Sequence, residues 1–204
     1  FGPMATSELV EKAANGETQK IKAYNLAEKQ PELDWENSLE EAERYLSNAH
    51  PNIDAEIEYV EPTPENVTEE TGVTQERYGE MVENVDIPST FPGYKQASIG
   101  DLHEQLEPLE TEEADAELLI SDFIALAQGK ASPGYGMAFI DSGDINSEKR
   151  ATKISAHEIT HLYGATDKYI PTVTRGEGLM GTANSTDPTR ETVNEIDKMI
   201  SKFE

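Results

Sequence analysis

Residues 157–167 read His157-Glu158-Ile159-Thr160-His161-Leu162-Tyr163-Gly164-Ala165-Thr166-Asp167. Ala151, Ser155, Ile159 and Leu162 recur at helical spacing, which predicts a helix over about 147–163 with Lys149, Lys153 and Thr160 facing outward. On such a helix residues four apart share a face, so His157 and His161 present two imidazoles to one point. Glu158 is turned away by roughly 100°, at about 3.6 residues per turn; it is badly placed as a ligand but able to reach a water at the same ion. Two imidazoles leave a catalytic zinc centre one protein ligand short. Gly164 supplies the way out: glycine tolerates positive φ, so the helix can stop and the chain turn sharply beneath the ion. Three residues later Asp167 brings a carboxylate suited to zinc. The candidate metal ligands are therefore His157, His161 and Asp167, and the candidate catalytic base is Glu158.

Outward from this stretch, the chain of 204 residues is long enough for one domain with a real core. Forty-one acidic residues against sixteen basic give a formal net charge of −25, which repels nucleic acid and anionic membranes. High salt, calcium, basic partners or plain solubility would each suit such a surface. There is no cysteine, which excludes disulfides, thiolate metal sites and thiol nucleophiles. No apolar run reaches membrane-spanning length, so membrane insertion is not expected. The opening Phe1-Gly2-Pro3-Met4 reads as an added remnant, and residues 1–18 as a tail outside the fold.

Residues 19–26 read as a strand, and Trp35, Leu39, Ala42, Leu46 and Ala49 as the buried stripe of a helix ending before Pro51. Ile53, Ala55, Ile57 and Tyr59 alternate with acidic residues, the pattern of a half-buried strand. Residues 61–115, rich in proline, glutamate and threonine, read as a long acidic insertion carrying one or two short helices. Apolar residues return at 117–126, a buried strand, and 134–140 reads as a glycine-bearing strand followed by a polar turn. A last helix over about 189–203 buries Val193, Ile196 and Ile200, with Asp187 and Pro188 at its start. Strands and helices together make the fold class α+β.

The run at 157–167 resembles the metzincin motif H-E-x-x-H-x-x-G-x-x-H, in the version with aspartate last. Gly178-Leu179-Met180-Gly181, with Met180 thirteen residues past Asp167, resembles the metzincin Met-turn. Gly164 through Tyr169 is similar to the G-x-x-D-x-Y pattern of secreted bacterial and archaeal metalloproteases. The resemblance implies a twisted mixed sheet carrying an active-site helix, with 19–164 as one subdomain. A small C-terminal subdomain, 165–204, would hold the third ligand, the Met-turn and the terminal helix. It implies a zinc-dependent endopeptidase, acting on protein or peptide substrates outside the cell or at its surface. Zinc would activate a water, Glu158 would take its proton and pass it to the leaving amine, and the strand 134–140 would be the sheet edge that pairs with substrate. Residues from Met180 to about Pro188 would wall the S1′ pocket. Two positions depart from the family: Asp167 replaces histidine, and Thr182 stands where some members carry a transition-state tyrosine. Tyr135, Tyr163 and Tyr169 are the candidates for that role.

Other readings remain open at this level. Glu191 or Glu195 would be the third ligand in a gluzincin arrangement, and Met180 would serve as core filler. Asp141, Asp144 and Asn146 make a polar turn whose spacing misses the EF-hand pattern for calcium. His50 and His103 read as surface residues. A catalytically silent zinc scaffold and an acidic interaction protein are the alternatives to a protease.

Overall fold

A computed structural model describes residues 4–25, 27, 33–60, 64–74, 76, 113–121, 129–143, 145–167, 178–180 and 187–204. The polypeptide starts with a helix, α1 (Ser7–Ala14), and continues through β1 (Gln19–Asn25), α2 (Trp35–Ala49), β2 (Ala55–Val60) and α3 (Pro64–Thr71). There follow β3 (Ala116–Ser121), β4 (Gly129–Ser132), β5 (Met137–Asp141), α4 (Glu148–Leu162) and α5 (Arg190–Ser201). Among the described residues the strands form one five-stranded sheet in the order β2-β1-β3-β5-β4. All pairings are parallel except β4 with β5, which run antiparallel around a short turn at Pro133–Tyr135.

Position in the sheet explains each strand's composition. β3 lies in the middle, and Ala116, Leu118, Leu119 and Ile120 are all buried, because both faces are covered. β2 lies at one edge and keeps strict alternation, with Ala55 and Ile57 buried and Glu56 and Glu58 exposed. Helix α2 packs on β2 and on α4, and α4 packs on β4 and β5, so the two helices form a layer across the sheet. Each begins at a side-chain cap. Asp34 accepts from the Asn37 amide at 3.0 Å and Ser147 from the Arg150 amide at 3.2 Å, contacts worth about 1 kcal/mol each. No helix among the described residues is long and apolar enough to cross a membrane.

Several expectations change. Residues 1–18 are not merely a tail. Leu9, Val10 and Ala13 of α1 are fully buried, the Thr6 amide donates to Leu162 O at 2.7 Å, and Thr6 Oγ1 donates to Pro133 O at 2.9 Å. The short spacing of three apolar residues hid this helix, which is held by tertiary contact rather than by its own length. The strand expected at 134–140 is really β5, starting at Met137 and second from the edge; the edge is β4, whose residues carry no apolar alternation. His50 is buried, its Nε2 3.0 Å from Asp197 Oδ1 on α5 and its Nδ1 accepting from the Asn52 amide at 3.0 Å. Lys153 and Thr160 are buried rather than outward, because the segment 178–180 covers Lys153 and Thr160 Oγ1 donates to Ala156 O. Thr189, not Asp187, caps α5, and Met199 joins Ile196 and Ile200 in the core while Val193 is half-buried. His103, Asp144, Tyr169 and Thr182 lie outside the described residues, as does most of the acidic insertion.

Candidate metal centre

The C-terminal half of α4 and the turn after it assemble the site. His157 and His161 lie one turn apart, with ring centroids separated by 4.8 Å and the rings nearly perpendicular. Each ring is fixed from behind. His157 Nδ1 lies 2.9 Å from Leu179 O and His161 Nδ1 lies 2.8 Å from Ala165 O. A nitrogen facing a carbonyl oxygen must carry the proton, so in the neutral rings both Nε2 atoms present lone pairs. Those two atoms sit 3.2 Å apart. Asp167 Oδ1 lies 3.1 Å from His157 Nε2 and 3.0 Å from His161 Nε2.

Three electron-pair donors thus converge on one point, an arrangement that is repulsive unless a cation or protons occupy it. A tetrahedral zinc with bonds of about 2.0–2.1 Å spaces its ligand atoms about 3.3 Å apart. The observed triangle is close to that size, and two imidazoles with a carboxylate are a donor set that suits zinc. His157, Glu158 and His161 also bring ligand atoms within 4.8 Å of one another. Glu158 Oε1 is farther from the triangle, 3.8 Å from His157 Nε2.

Gly164 makes the convergence possible. Its φ is +100°, its amide donates to His161 O at 3.0 Å, and the chain reverses so that Ala165 O meets His161 and Asp167 reaches both rings. Thr166 Oγ1 donates to Glu195 Oε2 at 2.7 Å, which ties this loop to α5. Glu195 is therefore engaged in holding the loop. Tyr163 is fully buried and donates to Gln19 Oε1 at 2.9 Å, away from the triangle, which removes it as a transition-state donor. Tyr135 is about half exposed at the β4–β5 turn. In the polar turn, Asp141 Oδ1 accepts the Gly143 amide at 2.9 Å, a turn-closing contact. Met180 is fully buried within the core beside Leu179.

Electrostatics separate the carboxylates. Burial pushes the Glu158 carboxyl up, against the pull of His157 and His161, with Asp167 adding to the rise. Burial also acts to raise Asp167, but without a metal the site takes protons at Nε2, and the resulting hydrogen bonds to Asp167 override burial and hold that carboxyl well below the usual range. One carboxylate is kept as a permanent anion, the other poised to accept a proton.

Two residues of the site escaped the sequence reading. A Cβ on Gly129 would lie 2.6 Å from Glu158 Cγ and 2.7 Å from Oε1, so the start of β4 runs directly against the Glu158 side chain. A lone glycine opening a strand is the signal for such close approach. Gly129→Ala is expected to displace Glu158 and lower any hydrolytic rate at least about tenfold while metal content holds, as misplacing a catalytic group by about 1 Å does. Equal rates for variant and wild type would show that Glu158 has no fixed station against β4. The second residue is Lys153, one turn before His157 on the same face. Burial lowers its pKa to about 8, with Arg150 contributing.

No family model matches this sequence, and no curated protein does. Solved structures do. A zinc-dependent peptidase from Methanocorpusculum labreanum aligns at 14% identity with a TM-score of 0.37, over 88% of this chain and 99% of that one. Archaemetzincin from Methanopyrus kandleri aligns at 14% identity with a TM-score of 0.53, over 90% of this chain and 96% of that one. The chain shares the overall fold of that archaemetzincin.

Proposed function

We propose that this protein is a zinc-dependent endopeptidase of the metzincin type, with His157, His161 and Asp167 as metal ligands and Glu158 as catalytic base. The observation that carries the reading is the triangle of Nε2, Nε2 and Oδ1 atoms 3.0–3.2 Å apart, with both Nδ1 atoms turned to carbonyls. The fold shared with an archaemetzincin supports it. Zinc bound there supplies Lewis acidity, lowering the pKa of a water and polarising a carbonyl.

The chain's own residues do the rest. Glu158 accepts the proton of the attacking water on a carboxylate oxygen and returns it to the leaving amine nitrogen. Its burial favours the protonated state between those two transfers. Burial of His157 and Glu158 keeps bulk water from the reacting side, while Asp167, more exposed, marks the open side of the site. Substrate is a protein or peptide in extended form, pairing with the outer edge of β4, which passes the base at Gly129. Residues 165–204 act as a C-terminal subdomain that supplies the third ligand, and the enzyme works outside the cell or at its surface.

The deciding experiment is elemental analysis of purified protein beside Asp167→Ala. Wild type is expected to hold one zinc per chain and to lose cleavage of an unfolded protein on chelation. Asp167→Ala is expected to bind zinc at least about tenfold more weakly, since three protein ligands become two. Zinc-free wild type after incubation with the metal overturns the reading. Stoichiometric zinc with no hydrolysis of any peptide library leaves a silent scaffold instead.

A further inference from the structure

Lysine ammonium groups are costly to bury, yet Lys153 is 1% exposed inside the layer between α4 and the segment 178–180. Its Nζ donates to two consecutive main-chain oxygens, Gly178 O and Leu179 O, each at 2.7 Å. A methionine would fill the same volume without the desolvation penalty, so packing alone does not account for a charge here. Leu179 O is shared: one lone pair receives Lys153 Nζ and the other faces His157 Nδ1 at 2.9 Å. The two histidines differ in this respect. His161 finds its acceptor, Ala165 O, four residues away in the turn that follows its own helix, where local geometry fixes it. His157 depends on a carbonyl 22 residues away in sequence, which something must hold in place. Two further ties anchor that segment: the Leu179 amide donates to Asp187 O at 2.8 Å, and Gly178, at φ +74°, fits where a Cβ would meet Asp187 O and Thr189.

We propose that Lys153 is a positioning residue of the metal centre: its ammonium clamps the Gly178–Leu179 backbone, and Leu179 O in turn fixes the tautomer and aim of His157. The inference rests on the zinc reading given above. Three residues at i, i+4 and i+8 on one helix face thus carry the site, two as ligands and the first as the holder of a ligand's support.

The test compares zinc affinity, by chelator competition, for wild type, Lys153→Met and Lys149→Met, the last altering an exposed lysine of the same helix. Nitrogen-15 shifts of the His157 ring in the metal-free proteins report its tautomer. Lys153→Met is expected to weaken zinc by about tenfold to a hundredfold, the usual cost of losing a partner that orients a ligand, and to mix the His157 tautomers. Lys149→Met is expected to match wild type. Because the chain has no cysteine, Lys153→Cys can be alkylated selectively with bromoethylamine after unfolding, which restores an ammonium on an arm of lysine length. Refolding is then expected to recover the affinity. Unchanged affinity in Lys153→Met overturns the proposal, as does a variant that loses its fold before it loses zinc, which would assign Lys153 to general stability. Wild type without zinc affinity sinks the underlying reading, a result separable from either.

Discussion

Glu158→Gln is expected to lower peptide cleavage by about 10²–10⁴-fold while one zinc per chain is retained. Glutamine keeps the size and hydrogen-bonding reach of the side chain but cannot accept a proton. The substitution therefore removes the base and little else. Packing should tolerate it: Glu158 is 5% exposed, and its burial raises the cost of its charge, so a neutral amide relieves that penalty. Cleavage of an unfolded protein substrate, measured beside zinc content, decides the matter. Wild-type rates in the variant would dismiss Glu158 as the base. Loss of zinc together with activity would move Glu158 into the ligand set, a role its distance of 3.8 Å from His157 Nε2 speaks against.

Gly164→Ala is expected to destabilise the fold by about 2–5 kcal/mol and to abolish tight zinc binding. Two costs add. At φ +100° an L side chain is strained by about 1–2 kcal/mol. The added Cβ also collides with the Met199 side chain on α5, an overpacking cost of about 1–3 kcal/mol. Relief by shifting the turn would carry Ala165 O away from His161 and Asp167 away from both rings. Urea denaturation and zinc analysis report the two effects separately. An unchanged unfolding midpoint with full zinc would mean that the turn at 164 is not what delivers Asp167.

Much of the site was legible because its logic is local. The spacing of His157 and His161 fixes their shared face on any α-helix, and Asp167 follows Gly164 by only three positions. Lys153 was missed, although it falls on that same face at i−4 from His157. Charge misled the reading: a lysine was taken as outward when two carbonyls from residues 178–179 were waiting for it. His50 was misread for the same reason, its partner Asp197 being 147 positions away.

The amino-acid order alone determined the helices with apolar stripes, the alternating strand β2, the buried run of β3 and the pair of imidazoles with Glu158 beside them. Each follows from a period of 3.6 or 2, which states how a segment meets its surroundings but not which segment it meets. Tertiary structure decided the rest. It made α1 part of the core, put β4 rather than β5 at the sheet edge, laid Gly129 against Glu158, and brought Leu179 O behind His157. These contacts join residues far apart in sequence, and which partners meet is settled by the competition of all buried surfaces at once.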